Sequence, residues 1–137
     1  MNRNDTESVV RQFYADRMTN DVDRTLETWD DNVVFKSVGC PDSCKTAGLF
    51  KGLDVIRQPA EAILSSLIWK DMTIQSLLVD GNQASVFYRV TVLFKPTGET
   101  FETEVANLFT VENGKITSFT EYLDTAKFVR VLEAEAA

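Results

Sequence analysis

The chain has 137 residues, 44% hydrophobic and 26% charged, the balance of a single soluble domain large enough to bury its own core. Its 14 basic and 21 acidic residues give a net charge of −7, and no Lys/Arg stripe relieves that acidity, which argues against a nucleic-acid partner. No apolar run approaches the ~20 residues of a membrane span. The polar start Met1-Asn2-Arg3-Asn4-Asp5 lacks the apolar stretch of a secretory signal. A cytoplasmic protein without a membrane partner is expected.

Histidine is absent. A Ser-His-Asp triad, a Cys-His pair, the commonest metal ligand and the usual neutral-pH base are therefore all ruled out. Cys40 and Cys44 are the only thiols, too few for a structural zinc site and spaced CxxxC rather than CxxC. They are expected to be reduced loop thiols, a reversible disulfide between them being the alternative, with no metal and no other cofactor bound.

No repeat, low-complexity tract or linker divides the sequence. Val10, Phe13 and Tyr14, with Val9 beside them, predict an amphipathic helix from Thr6 to about Met18, capped by Asp5 or Thr6. A second start signal at Asn20-Asp21 leads into Val22, Leu26 and Trp29 at i, i+4, i+7, a second helix ending at Asp30-Asp31-Asn32. Val33 to Ser37 reads as a short strand, and Val38 to about Gly52 as a loop. A third helix is expected from Leu53 or Asp54 to Ser66, bent or delayed by Pro59. Four strand signals follow: Met72–Val79, Ala84–Phe94, Phe101–Val111 and Ile116–Asp124. They are separated by Asp80-Gly81-Asn82, Pro96-Thr97-Gly98 and Glu112-Asn113-Gly114-Lys115. A short helix from Thr125 to about Glu133 closes the chain, and residues 1–4 and 134–137 are expected to be disordered. Helices grouped on one side of an antiparallel meander make an α+β domain.

Several landmarks occur in one order: Val9-Val10-Arg11-Gln12-Phe13-Tyr14, Trp29-Asp30-Asp31-Asn32-Val33-Val34-Phe35, Gly52-Leu53-Asp54-Val55-Ile56-Arg57 and Val79-Asp80-Gly81-Asn82. Asn107-Leu108-Phe109-Thr110-Val111-Glu112-Asn113-Gly114-Lys115-Ile116 and Glu121-Tyr122-Leu123-Asp124 follow. Over about residues 6–130 this pattern resembles the nuclear transport factor 2-like superfamily, which includes ketosteroid isomerase and SnoaL-like cyclases. The resemblance implies one cone-shaped α+β barrel spanning 1–137, three N-terminal helices packed on a strongly curved, mostly antiparallel sheet. It also implies a small apolar ligand inside the cone.

Strand alternation predicts which side chains point into that cone. Phe101, Val105, Phe109 and Val111 share a face with Thr103 and Asn107. Val86, Tyr88, Val90 and Val92 are assigned inward, because the opposite choice buries Arg89 unpaired. On the last strand Phe119, Glu121 and Leu123 share one face and Ser118, Thr120, Tyr122 and Asp124 the other, with an aromatic and a carboxylate on each. Its facing stays open.

Ketosteroid isomerase uses a carboxylate base on the first strand, with a tyrosine and a protonated aspartate as oxyanion donors. The resemblance maps these onto Lys36, Phe13 (with Tyr14 one place off) and Asn107, so that mechanism does not carry over intact. The histidine of SnoaL-like cyclases and of scytalone dehydratase is missing. So is the Asp-Arg-Asp cluster of limonene epoxide hydrolase, since Arg89 faces outward.

What remains as a catalytic set is Glu121 as base, Asn107 and Tyr88 as oxyanion donors, and Lys36 as a charge partner. Phe13, Tyr14, Trp29, Val90, Phe109, Phe119 and Leu123 are expected to surround the ligand. Each has a plain alternative: Lys36 snorkelling outward, Glu121 on the surface, Asn107, Tyr88, Tyr14 and Trp29 as core. The expected function is an apolar-ligand pocket, with cofactor-free isomerase, cyclase or dehydratase chemistry on a carbonyl-bearing or aromatic compound. The alternative is a non-catalytic ligand-binding or association domain. A homodimer through the sheet, using the face with Phe87, Leu93, Ala106 and Leu108, is compatible with both.

Overall fold

The computed structural model describes residues 2–40, 42–44 and 47–136. In chain order these form α1 (Arg3–Arg17), α2 (Val22–Thr25), β1 (Trp29–Val38), β2 (Gly48–Lys51) and α3 (Leu53–Ser66). Then come β3 (Leu67–Asp80), β4 (Gln83–Phe94), β5 (Glu99–Glu112), β6 (Lys115–Tyr122) and α4 (Thr125–Ala136). The strands make one six-stranded sheet in the order β2-β1-β6-β5-β4-β3, with β1–β6 parallel and every other pair antiparallel. Both β2 and β3 are edges, so the curved sheet is an open cone rather than a closed barrel, and three N-terminal helices with a fourth closing the chain accompany the expected α+β architecture.

Local chemistry explains the elements. Asn2, not Asp5 or Thr6, caps α1: its Oδ1 accepts from the Asp5 N–H at 2.9 Å. The hydroxyl of Thr6 is left to reach Gly81 O at 2.7 Å, pinning the helix to the β3–β4 turn. At the β5–β6 turn Asn113 and Gly114 have φ of 52° and 78°, the paired positive values of a tight two-residue hairpin. Register shifts in the β3–β4 ladder at Trp69/Asp71 and Ile74/Ser76 are bulges, which add local twist and bend the sheet around its contents.

Three expectations need correction. The second helix is a single turn, and Trp29 with Asp30-Asp31-Asn32 belongs to β1 instead. Trp29 pairs with Ile116 of β6, whose N–H donates to Thr28 O at 2.7 Å, so a long-range ladder overrides a three-residue helical period. The loop after Val38 contains β2, four residues paired with Val34–Ser37 and too short to show alternation. β3 begins at Leu67 rather than Met72, because Leu67 and Ile68 pair with Phe94 and Leu93 directly after α3 ends.

The concave face carries the core. Val86, Tyr88, Val90 and Val92 of β4 and Val105, Asn107, Phe109 and Val111 of β5 are all buried, as alternation required. Phe13, Phe109 and Phe119 meet edge to face with ring centroids 4.6–5.6 Å apart, and Trp29 and Phe35 extend that cluster toward the open end. α4 closes over the same face, Phe128 packing on Phe101 and Trp69. Among the described residues no helix is long and apolar enough to cross a membrane.

Candidate functional site

Between α1, α2, α3, α4 and the concave face of β1, β3 and β6 lies a cavity of about 130 Å³. Its wall is mostly apolar: Phe13, Trp29, Phe119 and Leu123 contribute from α1, β1 and the β6 end, and Ile63 and Leu64 from α3. A dry cavity of roughly 150 Å³ holds benzene, so this space suits a single ring or a short chain rather than a steroid.

Three ionisable or hydroxyl-bearing side chains on that wall are not spent on the protein's own bonds: Ser37, Glu121 and, in part, Arg17. Ser37 and Glu121 are direct partners in the parallel β1–β6 ladder, and Glu121 is in turn the partner of Asn107 across β6–β5. The three form one row on the concave face. The Glu121 carboxyl makes no hydrogen bond or ion pair among the described residues. Burial pushes its carboxyl up from the usual 4.5 to about 7, against a smaller downward pull from Arg17. The residue keeps some exposure only because it faces the cavity.

Arg17 is the last residue of α1 and is buried, with its guanidinium carbon 4.0 Å above the Trp69 ring. Its Nη1 donates to Asn20 Oδ1 at 3.0 Å. Asn20, at a left-handed φ of 57°, clamps Trp69 from both sides: Nδ2 donates to Trp69 O at 3.0 Å, and Trp69 N–H donates to Oδ1 at 2.9 Å. Asn tolerates that conformation better than most residues, which places the clamp where the chain turns from α1 into α2. Desolvation lowers the Arg17 pKa to about 10, still fully charged at neutrality. No carboxylate lies within 4.0 Å of it among the described residues.

Behind the cavity wall is a second polar group. Asn107 Nδ2 donates to Tyr14 Oη at 2.7 Å, and Trp69 Nε1 donates to Tyr88 Oη at 3.3 Å. Burial holds both phenols well above their ordinary pKa, so they stay protonated. Asn107 Oδ1 and Trp29 Nε1 are buried with no hydrogen-bond partner. Among the described residues no three His, Cys, Asp or Glu side chains group to hold a metal ion.

The structure thus divides the sequence-derived residues. Glu121, Phe13, Trp29, Phe119 and Leu123 line the cavity, and the open question of β6 facing resolves with Glu121 inward and Tyr122 outward. Asn107, Tyr88, Tyr14, Val90 and Phe109 are buried in the core behind that wall and do not line it. Lys36 is exposed on the outer face, and Ser37 holds the inward place assigned to it, with Val33 and Phe35 on the same face. Tyr14, one place from its expected register, nonetheless meets Asn107. Arg17, Ser37 and Trp69 were not anticipated. Val10, Phe13, Tyr14 and Arg17 run at i, i+3, i+4, i+7, so the inner stripe of α1 already included the arginine.

A family model described as a SnoaL-like domain matches residues 10–119. Solved structures with this fold include a protein from Rhodopseudomonas palustris described as a candidate isomerase, at 17% identity and a TM-score of 0.80. That match covers 92% of this chain and 96% of the other. An LEH-like epoxide hydrolase from M. tuberculosis is similar at 16% identity and a TM-score of 0.74, over 98% and 93% of the two chains. A candidate polyketide cyclase from Xanthomonas campestris is similar at 17% identity and a TM-score of 0.75, over 95% and 98%. No curated relative matches the chain in sequence. At these identities the structural likeness concerns the fold.

Proposed function

Since the chain belongs to the SnoaL-like domain family, we propose that its cavity is a cofactor-free acid/base site that moves a proton next to a carbonyl on a one-ring or short-chain substrate. The observation that carries this reading is the place of Glu121, a carboxyl without a side-chain partner on the wall of an apolar cavity, where burial pushes it up to about 7. A general base works best when its pKa lies near the operating pH. As carboxylate, Glu121 removes the proton beside the carbonyl, the electron pair of that C–H bond becomes a C=C bond, and the π pair of the carbonyl moves onto its oxygen. The hydroxyl of Ser37, its register partner across the β1–β6 ladder, donates a hydrogen bond to the developing oxyanion. Protonated Glu121 then returns the proton to carbon at the same or a conjugated position, which completes an exchange or an isomerisation.

Isomerase, cyclase and dehydratase chemistry all share that first step. It can be read without knowing the natural substrate. The protein should catalyse exchange of the α-hydrogens of cyclohexanone and cyclohex-2-enone in D₂O, followed by NMR, and Glu121→Gln should slow the exchange at least ~100-fold. Equal exchange in both proteins contradicts the reading.

The outward face of the sheet supports a second reading, an association domain. Phe87 and Tyr122 flank Ala106 in one row across β4, β5 and β6, Leu108 and Leu78 lie in the next, and all four large side chains are exposed. A homodimer through this face would cover them. Light scattering over a dilution series decides it: a monomer at micromolar concentration contradicts a sheet-face dimer.

A further inference from the structure

Arg17 is held more firmly than a solvated helix-end arginine needs to be. Trp69 lies under its plane, Asn20 takes Nη1, and Asn20 is itself locked to both backbone groups of Trp69. These contacts consume one edge and one face of the guanidinium. The Nε and Nη2 donors make no hydrogen bond among the described residues, and the side chain lines the cavity. Those two donors share one edge, the parallel pair that matches the two oxygens of a carboxylate, whereas a single carbonyl oxygen uses one of them. A buried cation without an anion within 4.0 Å is also costly, a cost that a bound anion relieves.

The geometry points to a ligand that carries a carboxylate, seated on the Nε/Nη2 edge of Arg17, with its apolar body in the cavity beside Phe119 and Leu123. This names a substrate class for the site described above and rests on that reading for the chemistry that follows binding. The ligand class is then a small monocarboxylate whose apolar body also carries the carbonyl that Glu121 and Ser37 serve. Arg17 is a specificity-determining residue here, and Glu121 remains the proton carrier.

Binding of crotonate and benzoate, each against its neutral counterpart crotonamide or benzamide, tests this by tryptophan fluorescence and calorimetry at pH 6. At that pH both acids are ionised and Glu121, which ionises near 7, mostly holds its proton. The wild-type protein should prefer at least one carboxylate over its amide by tenfold or more. Arg17→Lys keeps the charge but loses the fork, and should collapse that preference to threefold or less. Equal binding of acids and amides, no binding of either acid at millimolar concentration, or an unchanged preference in Arg17→Lys overturns the proposal. If thermal melting shows that Arg17→Lys does not fold, the wild-type preference alone decides. Loss of the carboxylate preference with Glu121-dependent exchange of cyclohexanone intact removes only this inference. Carboxylate binding without exchange removes only the catalytic reading.

Discussion

Ser37 and Glu121 are neighbours across the one parallel ladder of the sheet, β1 against β6, and both face the cavity. A hydroxyl and a near-neutral carboxyl are thereby set side by side on two backbone-paired strands, where their separation does not depend on a mobile loop. Replacing Ser37 by Ala removes the donor and leaves the carboxyl in place. Exchange of cyclohexanone α-hydrogens should fall about 100-fold in kcat with little change in KM, since the bond forms only as charge develops on oxygen. A rise in KM with unchanged kcat would assign Ser37 to ground-state binding instead.

The rate should follow the ionisation of Glu121. With the base titrating at about 7, kcat/KM for exchange rises about tenfold per pH unit below that point and levels above it. Tyr14 and Tyr88 stay protonated, and Arg17 stays charged, so none of them adds a second limb near neutrality. A pH–rate profile between pH 5 and 9 would be nearly flat instead if the carboxyl were solvated and ionised at 4.5.

Stability should move the opposite way. Glu121 ionises at 4.5 when solvated and at about 7 in the fold, so the unfolded chain loses its proton first as pH rises. The stability held below 4.5 is therefore lost progressively up to about 7 and is flat beyond. Glu121→Gln removes this slope and should raise stability at pH 8 by on the order of 2 kcal/mol, seen in urea midpoints at pH 5 and 8. The same substitution thus weakens catalysis and strengthens the fold, the signature of a group held at a cost for its chemistry.

Asn20 should be worth more than its position in a turn suggests. Asn20→Ala deletes the clamp on Trp69 and the support of Arg17, and places Ala at a φ of 57°. The combined cost is about 3 kcal/mol, which thermal or urea unfolding will show. Asn20→Gly relieves only the strain and should recover about 1 kcal/mol of it. Full recovery in the glycine variant would mean that the hydrogen bonds contribute nothing.

Much of this arrangement was legible in the sequence, and the misses have physical causes. Alternation placed Asn107 and Tyr88 on the concave face because β4 and β5 are long enough for a period of two to show, whereas β6 carries an aromatic and a carboxylate on each face and so left the side of Glu121 open. On β1 a one-residue slip put Lys36 where Ser37 belongs, and such a slip exchanges the two faces of a strand. The register shift between Trp29 and Val34 hides the strand's true start, so its phase could not be read from Trp29. Arg17 looks like a cation placed to balance a helix C-terminus. Only the arrival of Trp69, 52 residues later in the chain, turns it into a buried group. Which polar residues reach the cavity and which stay behind it depends on the thickness of the aromatic layer, Phe13, Phe109 and Phe119, a property of packing rather than of pattern.

The proposed mechanism requires Glu121 to be a near-neutral acid and base inside an apolar cavity. A ¹³C NMR titration of the glutamate side-chain carboxyls, with the Glu121 resonance assigned by its loss in Glu121→Gln, measures it without any substrate. A midpoint at about 7 is predicted. A midpoint at the solvated value of 4.5 would contradict the account.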